Sequence, residues 1–159
     1  MKKPVFALAA ALAVAAVPAF AQSPRGEAKA MLAGKAVSIE YGRPSLKGRD
    51  MLAQAAVGTP WRMGADAATK LKTDADLTFG AAAVPKGEYV LTATKVAADT
   101  WHLNVKGADQ KIVAEIPLTA EAVAQSIEMF TIELTGVGDK GEFKMIWGTT
   151  GLKTAFTGK

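Results

Sequence analysis

The 159-residue chain contains no cysteine and a single histidine. Without cysteine there is no disulfide framework, no thiol nucleophile and no lipid-modified cysteine to tether an exported chain. His102 alone cannot build a multi-histidine metal centre, and a zinc site would need carboxylates only. Its strand neighbours Trp101, Leu103 and Val105 take the inner face, which turns His102 outward. Ser45 lacks the glycine-framed elbow of a serine hydrolase. Asp74 and Asp76 share a turn without the further acidic positions of a calcium loop. The sequence implies no cofactor.

A run long enough to span a bilayer, about 20 apolar residues, is also missing. The N-terminal apolar run covers only Pro4 to Val17, behind the positive Met1-Lys2-Lys3 and ahead of the small-x-small pattern Ala19-Phe20-Ala21. Residues 1–21 read as a cleaved secretory signal peptide, so the expected location is periplasmic or secreted, with no transmembrane anchor after processing. Residues 22–159 form one β-rich domain, a size that buries roughly two-thirds of its unfolded surface. Without Lys2 and Lys3, 17 of the 19 cations remain against 15 carboxylates, a net charge of +2. That balance gives no footprint for nucleic acid. No repeat, low-complexity segment or second domain is visible.

What is present is a succession of short alternating segments. Val37, Ile39 and Tyr41 alternate with Ser38, Glu40 and Gly42, the period of two of a half-buried strand. Ala28, Ala30 and Leu32 form a weaker version, and Thr69, Leu71 and Thr73 and then Leu77 and Phe79 continue the style. Tyr89, Leu91 and Ala93 sit in a segment apolar on both faces, which places it centrally. Trp101 to Val105, Ile112 to Leu118, Phe130 to Leu134, Phe143 to Trp147 and Leu152 to Phe156 complete the strands. Turns are expected at Gly136 to Gly141 and Gly148 to Gly151. Short helices are expected at Asp50 to Val57, capped by Asp50, and at Thr119 to Gln125, capped by Thr119. The pattern predicts an all-β fold, a two-sheet antiparallel β-sandwich of eight or nine strands with one or two short helices. A small β-barrel is the alternative.

The densest chemistry lies between Tyr41 and Thr69. Arg43, Lys47, Arg49 and Arg62 crowd there with the rings of Tyr41 and Trp61 and the carboxylate of Asp66, between glycines and prolines. Guanidinium groups form paired hydrogen bonds to carboxylate or phosphate, and flat aromatic faces also suit a sugar. A small anionic or carbohydrate-like ligand at Tyr41, Arg43, Lys47, Arg49, Trp61, Arg62 and Asp66 is therefore the leading expectation. The alternative is a cell-envelope structural or interaction domain with a protein partner. In that reading Arg43 and Arg62 brace irregular segments against Glu40, Asp66, Glu128 and loop carbonyls. A third reading pairs Glu40, Asp66 and Glu128 as the carboxylates of a hydrolase. Trp61, Trp101 and Trp147 are expected as core anchors.

The run Tyr41-Gly42-Arg43-Pro44-Ser45-Leu46-Lys47-Gly48-Arg49, followed by Trp61-Arg62-Met63-Gly64-Ala65-Asp66-Ala67-Ala68-Thr69, resembles the bacterial proteins called domain of unknown function 2911. Pro85-Lys86-Gly87-Glu88-Tyr89 and Glu128-Met129-Phe130-Thr131-Ile132-Glu133 extend the likeness over most of the chain. The resemblance implies an exported β-rich domain and no catalytic role. This chain departs from the pattern at Asp66 and Ala67, where asparagine and glutamate are common in the family. Its segment Gly107 to Lys111 is shorter than the family's insertion.

Overall fold

The structure is a computed structural model describing residues 21–159, so all of the expected signal peptide except Ala21 lies outside the described residues. Among the described residues there are ten strands and no helix. They are β1 (Arg25–Leu32), β2 (Lys35–Gly42), β3 (Pro60–Trp61), β4 (Thr69–Thr73), β5 (Leu77–Phe79), β6 (Ala82–Val84), β7 (Gly87–Ala97), β8 (Thr100–Lys106), β9 (Ile112–Val137) and β10 (Lys140–Gly158). All pairings are antiparallel, in the order β1-β2-β4-β7-β8-β9-β10-β5-β6, with β3 added to β7. The path ends at β1 and β6, so the sheet is not closed into a barrel.

Alternation decides which face of each strand is buried. Val37, Ile39 and Tyr41 of β2 and Thr69, Leu71 and Thr73 of β4 point inward, while Glu40, Lys70 and Lys72 stay exposed. β7 lies centrally between β4 and β8, buries Leu91 and Ala93, and half-buries Val90 and Thr92 on its other face. Ala33 and Gly34, both with positive φ (48° and 77°), close the β1–β2 hairpin in two residues. On the outer face Asn104 is buried, donating to Thr92 Oγ1 (3.2 Å) and Thr94 Oγ1 (2.9 Å). His102 is half-buried on that same face, opposite Thr94 and Pro117.

The two longest strands join the ends of the path. Ile112 to Leu118 of β9 pairs with β8, and the rest of β9 pairs with β10, whose last residues pair with β5. Residues from both ends meet in one core: Leu32, Leu71 and Leu103 belong to the same buried cluster as Phe130, Phe143 and Phe156. The space left between the two groups is about 10 Å³. That is about the minimum a single water needs, roughly 10–15 Å³, and its lining is entirely apolar side chains, so this part of the core is closely filled.

Three expectations change here. Thr119 to Gln125 is strand, because Thr119 to Ala122 pairs with Thr150 to Lys153 of β10. A helix would break that ladder and the ion pairs of Glu121 with Lys144 and Lys153, the latter 2.7 Å. These pairs, above all the hydrogen bond from Lys144, push the Glu121 carboxyl down to about 2, while Glu121 holds the Lys153 ammonium up. Gly148 to Gly151 is not a turn either. β10 runs through it with register shifts on both sides of Gly148, whose φ of 64° absorbs the irregularity. Asp50 to Val57 keeps the cap bond from Ala53 N to Asp50 Oδ1 (3.1 Å) and one bond from Gln54 N to Asp50 O (3.1 Å), but forms only a turn. Strand β6 was not anticipated, since the three residues Ala82 to Val84 are too brief for alternation to show.

Candidate functional site

The 41–69 segment divides into a braced part and an open part. In the first, residues after β2 run beside the middle of β9: Phe130 N donates to Pro44 O (2.9 Å) and Leu46 N to Glu128 O (2.9 Å). Tyr41 is buried, and its hydroxyl accepts from Ile132 N (2.9 Å) and donates to Ile132 O (3.3 Å). Arg43 is half-buried and donates through Nε to Phe130 O (3.2 Å) and through Nη2 to Thr131 Oγ1 (3.0 Å). Both side chains are occupied in holding the 41–46 segment to β9.

The second half of the motif packs on the first through glycine. A Cβ on Gly42 would overlap the carbonyl oxygen of Ala65, and one on Gly64 would stand 2.7 Å from Gly42 O. The loop from Met63 to Asp66 turns through positive φ at Met63 (55°), Gly64 (141°) and Asp66 (64°). Thr69 Oγ1 closes it by donating to Met63 O (2.6 Å) in a buried position. Arg62 is exposed and donates to Asp66 O (2.9 Å), so it meets the backbone of Asp66 and not its carboxylate. The Asp66 carboxylate accepts from Ser23 N (2.7 Å), tying the N-terminal lead to this loop. Lys47 is exposed at φ 50°, and its N–H donates to Glu128 Oε1 (3.1 Å).

The remaining two residues of the expected set, Arg49 and Trp61, meet at a cleft of about 300 Å³ beneath the loop 49–60. Its walls are mainly Met51, Leu52, Ala55, Pro60, Trp61 and Trp101, and its polar lining is Arg49, Gln54 and Thr59. β3 pairs Trp61 with Ala93 of β7, which points the indole inward against Phe130 (centroids 5.0 Å, edge-on) and Trp147 (5.7 Å, stacked). Trp61 is therefore half-buried, with one part anchored in the core and another lining the cleft. Trp101 and Trp147 are buried (3% exposed each), and Trp147 Nε1 donates to Glu128 O (3.1 Å).

The loop over the cleft is held at several points. Lys95 Nζ donates to Ala53 O (3.2 Å), Gly58 N to Lys95 O (2.8 Å), and Leu52 is buried beneath. The Arg49 guanidinium, exposed at the mouth, makes no hydrogen bond or ion pair among the described residues. Sequence reasoning had no signal for Trp101, Gln54 or Met51 as lining residues, because the loop folds back over a strand 40 or more residues later in the chain.

A larger hollow of about 460 Å³ lies on the outer face of the sheet, between Ser38, Glu40, Lys70, Lys72, Glu88 and Val90. Its cations stand opposite carboxylates across strands, Glu40 facing Lys70 and Glu88 facing Lys72. That local compensation leaves it without a preferred ligand charge, and the smaller aromatic cleft is the better candidate. Among the described residues, no group of three or more acidic or histidine side chains is placed to hold a metal ion.

A family model described as Protein of unknown function (DUF2911) matches residues 23–156. No curated protein and no solved structure matches the chain.

Proposed function

The chain belongs to the DUF2911 family, and we propose that it is an exported binding module for a small anionic ligand seated in the cleft beneath the 49–60 loop. The observation that carries this reading is the Arg49 guanidinium, exposed and without a partner among the described residues, at a cleft also lined by Trp61 and Trp101. Ligand sites are concave, mostly apolar and furnished with a few converging polar groups, and their volumes begin at about 300 Å³. Of the residues expected at the site, Arg49 and Trp61 take the ligand. Tyr41, Arg43, Lys47, Arg62 and Asp66 shape the segments around it. Export is supported by the pattern of residues 1–21. The same reading takes the two ends of the strand path as facing layers of a sandwich, supported by their shared core.

The test is a thermal-shift panel of small anions, amphiphiles and oligosaccharides at millimolar concentration, on the wild type and on Ala56→Trp, which sets an indole at Ala56, a further lining residue of the cleft, to block it. At least one compound should raise the wild-type midpoint and leave the variant unmoved. A flat panel, or a shift that persists in the variant, would refute the reading.

An envelope interaction domain is favoured by one separate observation. Met31 and Val137 are 56% and 83% exposed at the end of the sheet where Ala33 N donates to Gly138 O (2.7 Å). Cross-linked envelope partners that disappear with Met31→Ser and Val137→Ser together would support it, and unchanged cross-links would remove it. The carboxylates of the hydrolase reading each have a different setting. Glu128 accepts from Lys47 N, Asp66 from Ser23 N, and Glu40 lines the outer hollow.

A further inference from the structure

Resting on the cleft as the binding site, we infer that its occupant is an apolar monocarboxylate, a hydrophobic chain or ring carrying one carboxylate, and not a sugar or a free phosphate. The polar lining is what separates these classes. A sugar presents hydroxyls all round its ring and needs several planar polar partners, since each buried hydroxyl left unpaired costs about 1–3 kcal/mol. The cleft offers only Gln54 and Thr59 besides Arg49. A phosphate carries up to two negative charges and more acceptor oxygens than one guanidinium fork can meet, and among the described residues Arg49 is the sole cation of the lining. One guanidinium matches one carboxylate in charge and in bidentate geometry.

The rest of the lining matches an apolar body. Met51, Ala55, Pro60 and the open part of Trp61 present methylene, methyl and indole surface, with the buried Leu52 and Trp101 behind them and Met51 able to adapt to an irregular tail. Met51, which lines the cleft, is itself more than one-third exposed, so the apolar wall reaches solvent there. Arg49 stands at the start of the covering loop, where a headgroup can stay wet while the tail is buried. Because the loop is anchored at Ala53 and Gly58, the cleft exists before the ligand arrives, and less binding energy goes into ordering it.

The experiment is a titration followed by intrinsic tryptophan fluorescence, since Trp61 and Trp101 line the cleft and Trp147 stacks on Trp61. The probes are octanoate, its neutral isostere octanamide, maltose and inorganic phosphate, each against wild type and Arg49→Gln. Octanoate should bind the wild type about tenfold more tightly than octanamide, the size expected of one partly exposed charge-assisted contact. In Arg49→Gln the two should bind alike, and maltose and phosphate should not bind at the cleft. Octanamide binding as well as octanoate to the wild type would overturn the carboxylate assignment and leave the cleft standing. Maltose or phosphate binding, lost in Ala56→Trp, would overturn the ligand class while keeping the site. If no probe here and no compound of the thermal-shift panel binds, the cleft reading itself fails.

Discussion

Arg43 and Arg62 stand in the same motif and look equivalent in sequence, yet the structure assigns them unequal weight. Arg43→Ala removes two directed hydrogen bonds, to Phe130 O (3.2 Å) and Thr131 Oγ1 (3.0 Å), both part-buried, and leaves those acceptors against β9. Hydrogen bonds from a charged donor contribute about 1.5–3 kcal/mol each when well shielded. With the side chain half-exposed, solvent screening reduces the pair to about 2–3 kcal/mol together. For a domain of this size that lowers the melting midpoint by roughly 6–10 °C. Arg62 is exposed, with one bond to a carbonyl four residues away, so Arg62→Ala should cost below about 0.5 kcal/mol and move the midpoint by less than about 2 °C. Arg43→Lys keeps the charge and most of the stem that packs over Gly26, but not the fork, and should recover only part of the loss. Thermal unfolding of the three variants beside the wild type, followed by circular dichroism, measures all of this. Equal shifts for Arg43→Ala and Arg62→Ala, or an unmoved Arg43→Ala, would refute the assignment of Arg43 as the brace between the 41–46 segment and β9.

Two further outcomes follow from the packing and the charges. Gly42→Ala forces its new methyl into the Ala65 carbonyl, and since backbone must move, a loss of about 3 kcal/mol or more is expected. Gly48→Ala meets open space and carries only the strain of φ +77°, about 1–2 kcal/mol, so urea midpoints should rank wild type, Gly48→Ala, Gly42→Ala. Glu121, with its folded-state carboxyl at about 2 against an ordinary 4.5, contributes stability that is complete above pH 4.5 and is lost as the pH falls towards 2. The stability gap between wild type and Glu121→Gln should therefore narrow across that window, and a gap that stays constant would mean the Lys144 and Lys153 pairs do not hold in solution.

The alternation of β2, β4, β7 and β8 could be read directly, because a strand with one buried face writes its burial into every second residue. The motifs from Tyr41 to Thr69 were enough to point to the family. Thr119 to Gln125 could not be read this way. Its alanines carry weak strand preference, and it is held extended by pairing with Thr150 to Lys153 and by Lys144 and Lys153 on Glu121. Gly148 resembled a turn for the same reason, since a glycine that closes a hairpin and one that absorbs a bulge look alike until the opposing strand is known.

The sequence by itself therefore determined the all-β class and the crowding of cations and rings between Tyr41 and Thr69, both of which are recorded in local spacing. It could not sort that chemistry into brace and cleft. Tyr41 is spent on Ile132, 91 residues away, and Arg43 on Phe130, 87 residues away, whereas Arg49 is left at a mouth that exists only because the loop folds over Trp61 and Trp101. Hydrogen-bond partners and concave surfaces are made between distant segments, so only the tertiary structure decided that Arg43 holds the fold while Arg49 lines a cleft.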